Sequence, residues 1–195
     1  ASAIASTSVI FIDFVLLVLG RPRRRAGAND TACQRNGKVD GMQQEIRNVV
    51  VVGPGTMGRG IANTFARGGH DVTVLSRNPA NVAPFEGPVT VSDELPDTAP
   101  DFIIESIVEE MDAKHALFER IESAYGGKPV LATNTSGLPM NEMVARLKHP
   151  ERFIGVHYLQ PADALPLVEV IRVETTTDAV LDAVEAALEI GRAHV

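Results

Sequence analysis

Residues 49–58 read VVVVGPGTMG, four β-branched residues followed by a glycine-rich turn. An unbroken apolar run of this kind is typical of a strand that is buried on both faces of a parallel sheet. In the GxGxxG spacing the first glycine allows a tight strand-to-helix turn, the second lets a pyrophosphate approach the main chain, and the third lets helix and strand pack closely. The first N–H groups of the following helix are free, and they favour phosphate binding there. The residues expected to bind a dinucleotide are therefore Gly53, Gly55, Thr56, Met57 and Gly58.

Strand-like and helix-like segments alternate along the rest of the chain. Helical periodicity is found at residues 57–67, 113–125, 140–147 and 178–190, and strand-like runs are found at 49–52, 72–75, 89–91, 101–105, 130–133, 153–156 and 167–171. Five prolines between residues 79 and 100 predict that this stretch is mostly loop. The alternation predicts an α/β fold of the Rossmann type, with a doubly wound, mostly parallel sheet.

Composition narrows the class of protein. A chain of 195 residues is long enough for one domain with a sizeable core. The net charge of −7 argues against a nucleic-acid partner, since such proteins usually carry a basic face. The single cysteine, Cys33, excludes an internal disulfide and a cysteine-rich metal site, and it fits the reducing cytoplasm. No metal site is expected.

The first part of the chain has a different texture. Residues 1–44 are expected to form a poorly structured extension, and residues 45–195 the dinucleotide-binding domain. The apolar run 9–19 is about half the length that spans a bilayer, and Asp13 interrupts it. The arginines follow this run, whereas a signal peptide places its positive charges before the apolar stretch. We therefore predict neither a membrane partner nor a signal peptide, and Met42 is a candidate natural start.

The end of the second strand bears on the choice of cofactor. An acidic residue there, about 20 residues after the glycine loop, would accept hydrogen bonds from the adenosine ribose. This chain has Ser76-Arg77-Asn78 instead. Serine does not repel a 2′-phosphate and arginine pairs well with one, so NADP as well as NAD is expected. The alternative is that Arg77 only stacks on the adenine or lies in solvent.

Polar residues in the second half lie where parallel strands end. Ser136 closely follows one strand, and His157 closes another at the same edge, where open α/β sheets bind ligands. Glu169 follows twelve residues later inside an apolar strand, and a carboxylate buried there needs a partner. A His–Glu pair near a nicotinamide can move a proton alongside a hydride. The alternative is a surface histidine and an edge-strand glutamate.

From about Ile46 to its end, the sequence resembles the NAD-binding domain of the 3-hydroxyacyl-CoA dehydrogenases. Besides the glycine loop, the resemblance includes a Glu-x-x-x-Glu-x-x-x-x-Lys pattern and an Asn-Thr-Ser motif, followed by the histidine and a Leu-Val-Glu-Val strand. The residues of these motifs are Glu105, Glu109, Lys114, Asn134, Thr135, Ser136, His157 and Leu167 to Val170. Several motifs in the same order are more specific than any one of them.

The resemblance implies an oxidoreductase of fatty-acid metabolism, with NAD or NADP as cofactor and a small molecule as substrate. It implies that His157 takes the proton of a 3-hydroxyl group, that Glu169 orients the imidazole, and that Ser136 hydrogen-bonds the substrate oxygen. It also implies a set of residues along the nicotinamide–ribose half of the cofactor. These are Glu109, Lys114, Asn134 and Gln160.

The chain departs from the family at four points. Ser76 replaces the usual Asp. Only about two dozen residues separate Arg77 from Asp101, where the family inserts a helical hairpin that contacts CoA. Gln160 occupies a position where the family mostly has Asn, and Pro166 occupies one where many members have Lys. The helical second domain, which mediates dimerisation, is missing, so we expect a fragment whose full-length protein is a homodimer. The alternatives left open are a dehydrogenase of a CoA-free 3-hydroxy acid, such as carnitine or gulonate, and a non-catalytic dinucleotide-binding module.

Overall fold

The protein folds into an eight-stranded sheet with helices on both faces. The structure is a computed structural model, and it describes residues 13–18, 45–165 and 167–190. The strands are β1 (Asp13–Val18), β2 (Asn48–Val52), β3 (Asp71–Leu75), β4 (Val89–Ser92), β5 (Phe102–Glu105), β6 (Val130–Thr133), β7 (Phe153–Tyr158) and β8 (Leu167–Arg172). The helices are α1 (Thr56–Arg67), α2 (Met111–Tyr125), α3 (Met140–Val144) and α4 (Asp178–Ile190).

The strand order is β1-β8-β7-β6-β5-β2-β3-β4. Neighbouring strands from β4 to β7 are parallel, and β8 and β1 are antiparallel additions at one side. The chain runs outward from β2 to β3 and β4, and then returns to β5 on the other side of β2. This confirms the doubly wound, mostly parallel sheet, and it places the switch point of the strand order between β2 and β5, where such folds bind ligands.

Two apolar layers cover the sheet. Val51 of β2 packs in one layer with Ile61 of α1, and Val50, which points the opposite way, packs in the other with Phe118 of α2. All four side chains are at most 1% exposed. Each buried side chain of this size stabilises the fold by about 1.5–3 kcal/mol, so the valine run anchors the glycine loop that follows it.

One helix is shorter than its periodicity predicts. We expected a helix over residues 140–147, but α3 ends at Val144. Four and five residues later, the backbone N–H groups of Lys148 and His149 donate to the carboxylate of Glu122 on α2, each at 2.9 Å. Glu122 is buried, and its acceptor oxygens hold this segment in a turn rather than a further helical turn.

The N-terminal part differs from expectation over six residues. The segment Asp13–Val18 is not an unstructured extension but a strand, paired antiparallel with β8 from Asp13 opposite Arg172 to Val18 opposite Leu167. The physical reason is that β8 would otherwise present a row of unpaired N–H and C=O groups. The rest of residues 1–44, with Cys33 and Met42, lies outside the described residues, as does Pro166. No helix in the described ranges is long and apolar enough to cross a membrane.

Candidate functional site

The glycine loop joins β2 to α1 in a conformation that needs glycine. Gly53 has φ +106°, and its N–H donates to the Leu75 carbonyl at 3.0 Å. A Cβ on Gly58 would lie 1.8 Å from the Gly53 carbonyl oxygen, so α1 can approach the loop only without a side chain there. The position of a Cβ on Gly55 is open, with nothing within 4 Å. The main chain at Gly55 is therefore accessible to a ligand.

The start of α1 leaves its N–H groups available. Thr56 and Met57 are its first two residues, its N-cap Gly55 makes no side-chain cap, and its first turn carries no acidic residue. Unpaired N–H groups and the positive end of the helix dipole together favour an anion. This geometry fits the pyrophosphate of a dinucleotide.

A cleft of about 510 Å³ opens beside the loop. Its volume suits a nucleoside-sized group. It is lined by the loop, the ends of β3 and β4, and one side of α2; the polar and charged residues on its walls include Ser76, Arg77, Asp93, Ser106 and Arg120. Asp93 and Arg120 are not among the residues predicted from the sequence. Two sequence features could have indicated them. Asp93 directly follows β4, at the edge where parallel strands end, and Arg120 lies one helical turn after Ala116, which lines the same cleft.

Ser76 lies against the loop with its polar groups largely engaged. It is 9% exposed, its N–H donates to the Ser92 carbonyl at 2.8 Å, and its hydroxyl oxygen accepts from the Asn78 N–H at 3.2 Å. The hydroxyl proton is left to donate to a ligand. Arg77, the next residue, is exposed at the rim.

A buried ion pair lies at the carboxyl end of β5. The Lys114 ammonium lies 2.7 and 2.8 Å from the two carboxylate oxygens of Glu105, and both side chains are at most 1% exposed. The Thr133 hydroxyl also donates to Glu105. Lys114 thus points into the protein, and a direct contact with the cofactor stays a prediction.

Glu109 connects this pair to the turn at 135–137. Its carboxylate lies 3.2 Å from the Lys114 ammonium, and it accepts hydrogen bonds from the Thr135 hydroxyl and from the N–H groups of Ser136 (3.1 Å) and Gly137 (3.3 Å). Burial raises the pKa of Glu109, but the Thr135 hydrogen bond and the Lys114 charge outweigh it and hold that pKa below its usual value. The ionised carboxylate therefore holds the backbone of Ser136 in place.

His157 and Glu169 are brought together by the antiparallel pairing of β7 and β8. The imidazole Nδ1 lies 2.7 Å from the Glu169 carboxylate, and the two side chains are 20% and 26% exposed. An ionised carboxylate only accepts hydrogen bonds, so Nδ1 carries the proton and Nε2 of the neutral ring has a lone pair. No described residue hydrogen-bonds to Nε2, which leaves it able to accept a proton from a ligand.

The remaining predicted site residues lie at the same sheet edge. Asn134 follows β6, and its side-chain oxygen accepts from the Tyr158 N–H at 2.8 Å, which leaves its amide NH₂ to donate. Ser136 and Gln160 are exposed. Since β5, β6 and β7 are adjacent and parallel, the residues at their carboxyl ends converge on one face of the molecule.

Comparison with known proteins identifies the family that the sequence motifs resemble. The sequence profile of the "3-hydroxyacyl-CoA dehydrogenase, NAD binding domain" matches residues 48–89 and 81–195. A 5-formyl-3-hydroxy-2-methylpyridine 4-carboxylate 5-dehydrogenase of Mesorhizobium japonicum is 31% identical over 155 residues, which cover 67% of this chain and 50% of that protein. A probable 3-hydroxybutyryl-CoA dehydrogenase of Bacillus subtilis is 31% identical, with coverage of 77% and 62%.

Solved structures agree. The (S)-3-hydroxybutyryl-CoA dehydrogenase of Ralstonia eutropha has a TM-score of 0.67 and 29% identity, and the match covers 76% of this chain and 62% of that one. The chain thus spans about half to three fifths of the length of these relatives. The glycine loop and the cleft beside it fit a dinucleotide, and the matched profile is that of an NAD-binding domain. We conclude that the chain belongs to the 3-hydroxyacyl-CoA dehydrogenase family and carries its NAD-binding domain.

Proposed function

We propose that the chain is the cofactor-binding part of an oxidoreductase of fatty-acid metabolism that interconverts a 3-hydroxyacyl-CoA and the 3-ketoacyl-CoA. The observation that carries the proposal is the His157–Glu169 pair, whose Nδ1–Oε2 distance is 2.7 Å. A proton acceptor held in one tautomer at the ligand-binding edge is what alcohol oxidation needs, and a non-catalytic binding module does not need it.

In the oxidation direction, His157 Nε2 takes the hydroxyl proton while the hydrogen on C3 leaves as hydride and the C–O bond becomes a ketone. Bound NAD supplies the hydride acceptor. Glu169 keeps Nδ1 protonated and stabilises the imidazolium that forms, as a carboxylate does beside a catalytic histidine in hydrolases. The hydroxyl of Ser136 donates to the substrate oxygen, from a backbone that Glu109 holds. The side-chain amide of Asn134, whose oxygen accepts from the Tyr158 N–H, would donate to the nicotinamide half of the cofactor.

The test compares His157→Ala with the unchanged protein, by following NADH absorbance with acetoacetyl-CoA. Because the relatives are longer, we would run it both on this chain and on a fusion to the C-terminal domain of the Bacillus subtilis relative. We expect low turnover from the chain alone and higher turnover from the fusion. In the fusion, His157→Ala should lower turnover by about 10²–10⁴-fold, since a general base contributes roughly that much.

The matched control is His149→Ala, because His149 is a histidine whose partner is Glu151, away from the sheet edge. The control should keep normal turnover, and both variants should keep normal NADH affinity. Full turnover in His157→Ala would mean that the base lies elsewhere. No gain from the fused domain would count against an active site shared with a second domain.

A CoA-free 3-hydroxy acid is the second candidate substrate. The segment after β3 is short and packs onto α1: the Arg59 guanidinium donates to the carbonyls of Pro84 (2.9 Å) and Ala83 (2.8 Å) and lies 4.5 Å from the centre of the Phe85 ring. This is where the family resemblance implies a hairpin that contacts CoA. The Mesorhizobium japonicum relative, moreover, is named for a pyridine carboxylate.

The two candidates differ in kcat/KM for a matched pair of substrates, 3-hydroxybutyryl-CoA and free 3-hydroxybutyrate, with carnitine and gulonate as further free acids. A higher value for the thioester supports the first candidate. A higher value for any free acid supports the second.

A further inference from the structure

We propose that the adenosine end of the cleft holds a 2′-phosphate between Arg77 and Arg120, so that the chain binds NADPH more tightly than NADH. Arg77 was expected to contribute, and the structure adds Arg120 as the second cation. The inference rests on dinucleotide binding and not on the proposed substrate, so either can fail while the other stands.

The end of β3 is where the adenosine ribose has to lie. The Leu75 carbonyl accepts the Gly53 N–H, which ties the last residue of β3 to the glycine loop. Ser76 comes next and lines the cleft. A carboxylate at this point would accept the ribose hydroxyls and repel a phosphate, whereas the uncharged Ser76 can donate its hydroxyl proton to a phosphate oxygen.

Two arginines on the cleft walls are free to bind that phosphate. Arg77 and Arg120 both line the cleft, and neither forms an ion pair or a side-chain hydrogen bond with another described residue. The arginines of α1 differ in this respect. Arg59 is bound to two carbonyls, and Arg67 donates to the Asp163 carbonyl and to Glu86. Unpaired guanidinium groups are the side chains that best match phosphate oxygens, because they bind them through two parallel N–H groups.

Asp93 is the one carboxylate among the described residues that line the cleft. It forms no ion pair with either arginine, so it does not neutralise them. The charged groups on the cleft walls are then two cations and one anion, which leaves an excess of positive charge for a phosphate monoester of roughly two negative charges at neutral pH. Asp93 also defines the alternative to 2′-phosphate binding, because its carboxylate could instead accept hydrogen bonds from the ribose hydroxyls of NADH.

The test is the dissociation constant of NADPH and of NADH, measured by nicotinamide fluorescence on the 195-residue chain without substrate. We expect NADPH to bind at least about tenfold more tightly, a difference of one to two charge-assisted hydrogen bonds. Arg77→Ala and Arg120→Ala should each weaken NADPH by about fivefold or more and leave NADH within about twofold. Ser76→Asp should reverse the preference. Arg146→Ala, which removes an exposed arginine away from the cleft, should change neither constant.

Two further measurements separate the phosphate from the rest of the cofactor. Adenosine 2′-monophosphate should displace NADPH at lower concentration than the 5′-monophosphate does. Because both arginines are exposed, the NADPH preference should shrink between 50 mM and 500 mM KCl, as screening predicts. Asp93→Asn should bind NADPH more tightly than the unchanged chain.

Three results would overturn the proposal. NADH binding as tightly as NADPH would show that the cleft does not hold a 2′-phosphate. Equal weakening of both cofactors by Arg120→Ala would place that arginine on a part that the two share. Loss of NADH affinity in Asp93→Asn, with NADPH unchanged, would make Asp93 the ligand of the ribose hydroxyls.

Discussion

His157 and Glu169 face each other across an antiparallel strand pair, so their contact is set by the register of β7 and β8. Their Nδ1–Oε2 distance of 2.7 Å needs both strands in place, since each side chain reaches the sheet edge from its own strand. A slip of one residue would turn one of the two side chains to the other face of the sheet. The proposed proton acceptor therefore depends on the backbone pairing of the last two strands before α4.

Glu169→Gln tests the role of this contact. Glutamine keeps the shape, but its carbonyl oxygen is uncharged and cannot stabilise an imidazolium, so we expect the turnover of the fusion protein to fall by about 10²–10⁴-fold. NADH affinity and the melting temperature should stay close to the unchanged protein. Glu174→Gln, an exposed glutamate just after β8, is the control. Equal losses in the two variants would remove Glu169 from the proposed mechanism.

Lys114→Met tests the buried ion pair. Removing the ammonium leaves the fully buried Glu105 carboxylate without its cation, and we expect a loss of about 3–5 kcal/mol in the free energy of unfolding. The double variant Glu105→Gln/Lys114→Met removes both charges and should recover part of this loss. Urea denaturation of the two single variants and the double variant measures the coupling. Additive losses would mean that the two groups do not stabilise each other.

Local patterns predicted the elements well and the long-range partners less well. The valine run, the glycine spacing and the helical periodicity are short-range signals, and they placed β2, α1 and α4 close to their observed bounds. The strand at Asp13–Val18 was missed because β8, with which it pairs, lies far away in sequence. Strand pairing is decided by which backbone edge is open, and a single sequence does not state that.

In the candidate site, too, local sequence patterns predicted some residues, and residues brought together only by the fold were missed. Glu169 could be assigned a partner because a carboxylate inside an apolar strand demands one. The sequence pattern alone would place Lys114 on the surface of an amphipathic helix. In the structure its ammonium is buried because it pairs with the Glu105 carboxylate at the end of β5. Arg120 and Asp93 were missed because the cleft is assembled from β3, β4 and α2, which only the fold brings together.

Glu109→Gln tests a pH-dependent contribution to stability. A carboxyl group whose folded-state pKa lies below the usual 4.5 stabilises the fold above that pH, and this stabilisation is lost as the pH falls through the folded-state pKa. The groups that face it are Lys114, Thr135 and the N–H groups of the turn after β6. We therefore expect Glu109→Gln to lower the urea midpoint at pH 7 and to have a smaller effect below about pH 4.5.

The control for this prediction is Glu110→Gln, since the neighbouring carboxylate is exposed and has no side-chain partner among the described residues. It should leave the urea midpoint unchanged at both pH values. An equal destabilisation by Glu109→Gln at pH 7 and at pH 3.5 would mean that its charge does not contribute.

A pair of glycine variants separates the structural role of the loop from its binding role. Gly58→Ala adds a Cβ that would lie 1.8 Å from the Gly53 carbonyl, so α1 must move, and we expect a loss of about 1–3 kcal/mol in stability together with weaker NADH binding. Gly55→Ala adds a methyl group in open space, at φ −64°, and should leave the melting temperature unchanged. Gly55 nevertheless lies where the pyrophosphate must approach the main chain, so NADH affinity should fall by about tenfold or more. Thermal melts and NADH titrations of both variants measure the difference; unchanged affinity in Gly55→Ala would mean that the cofactor does not approach the chain at that residue.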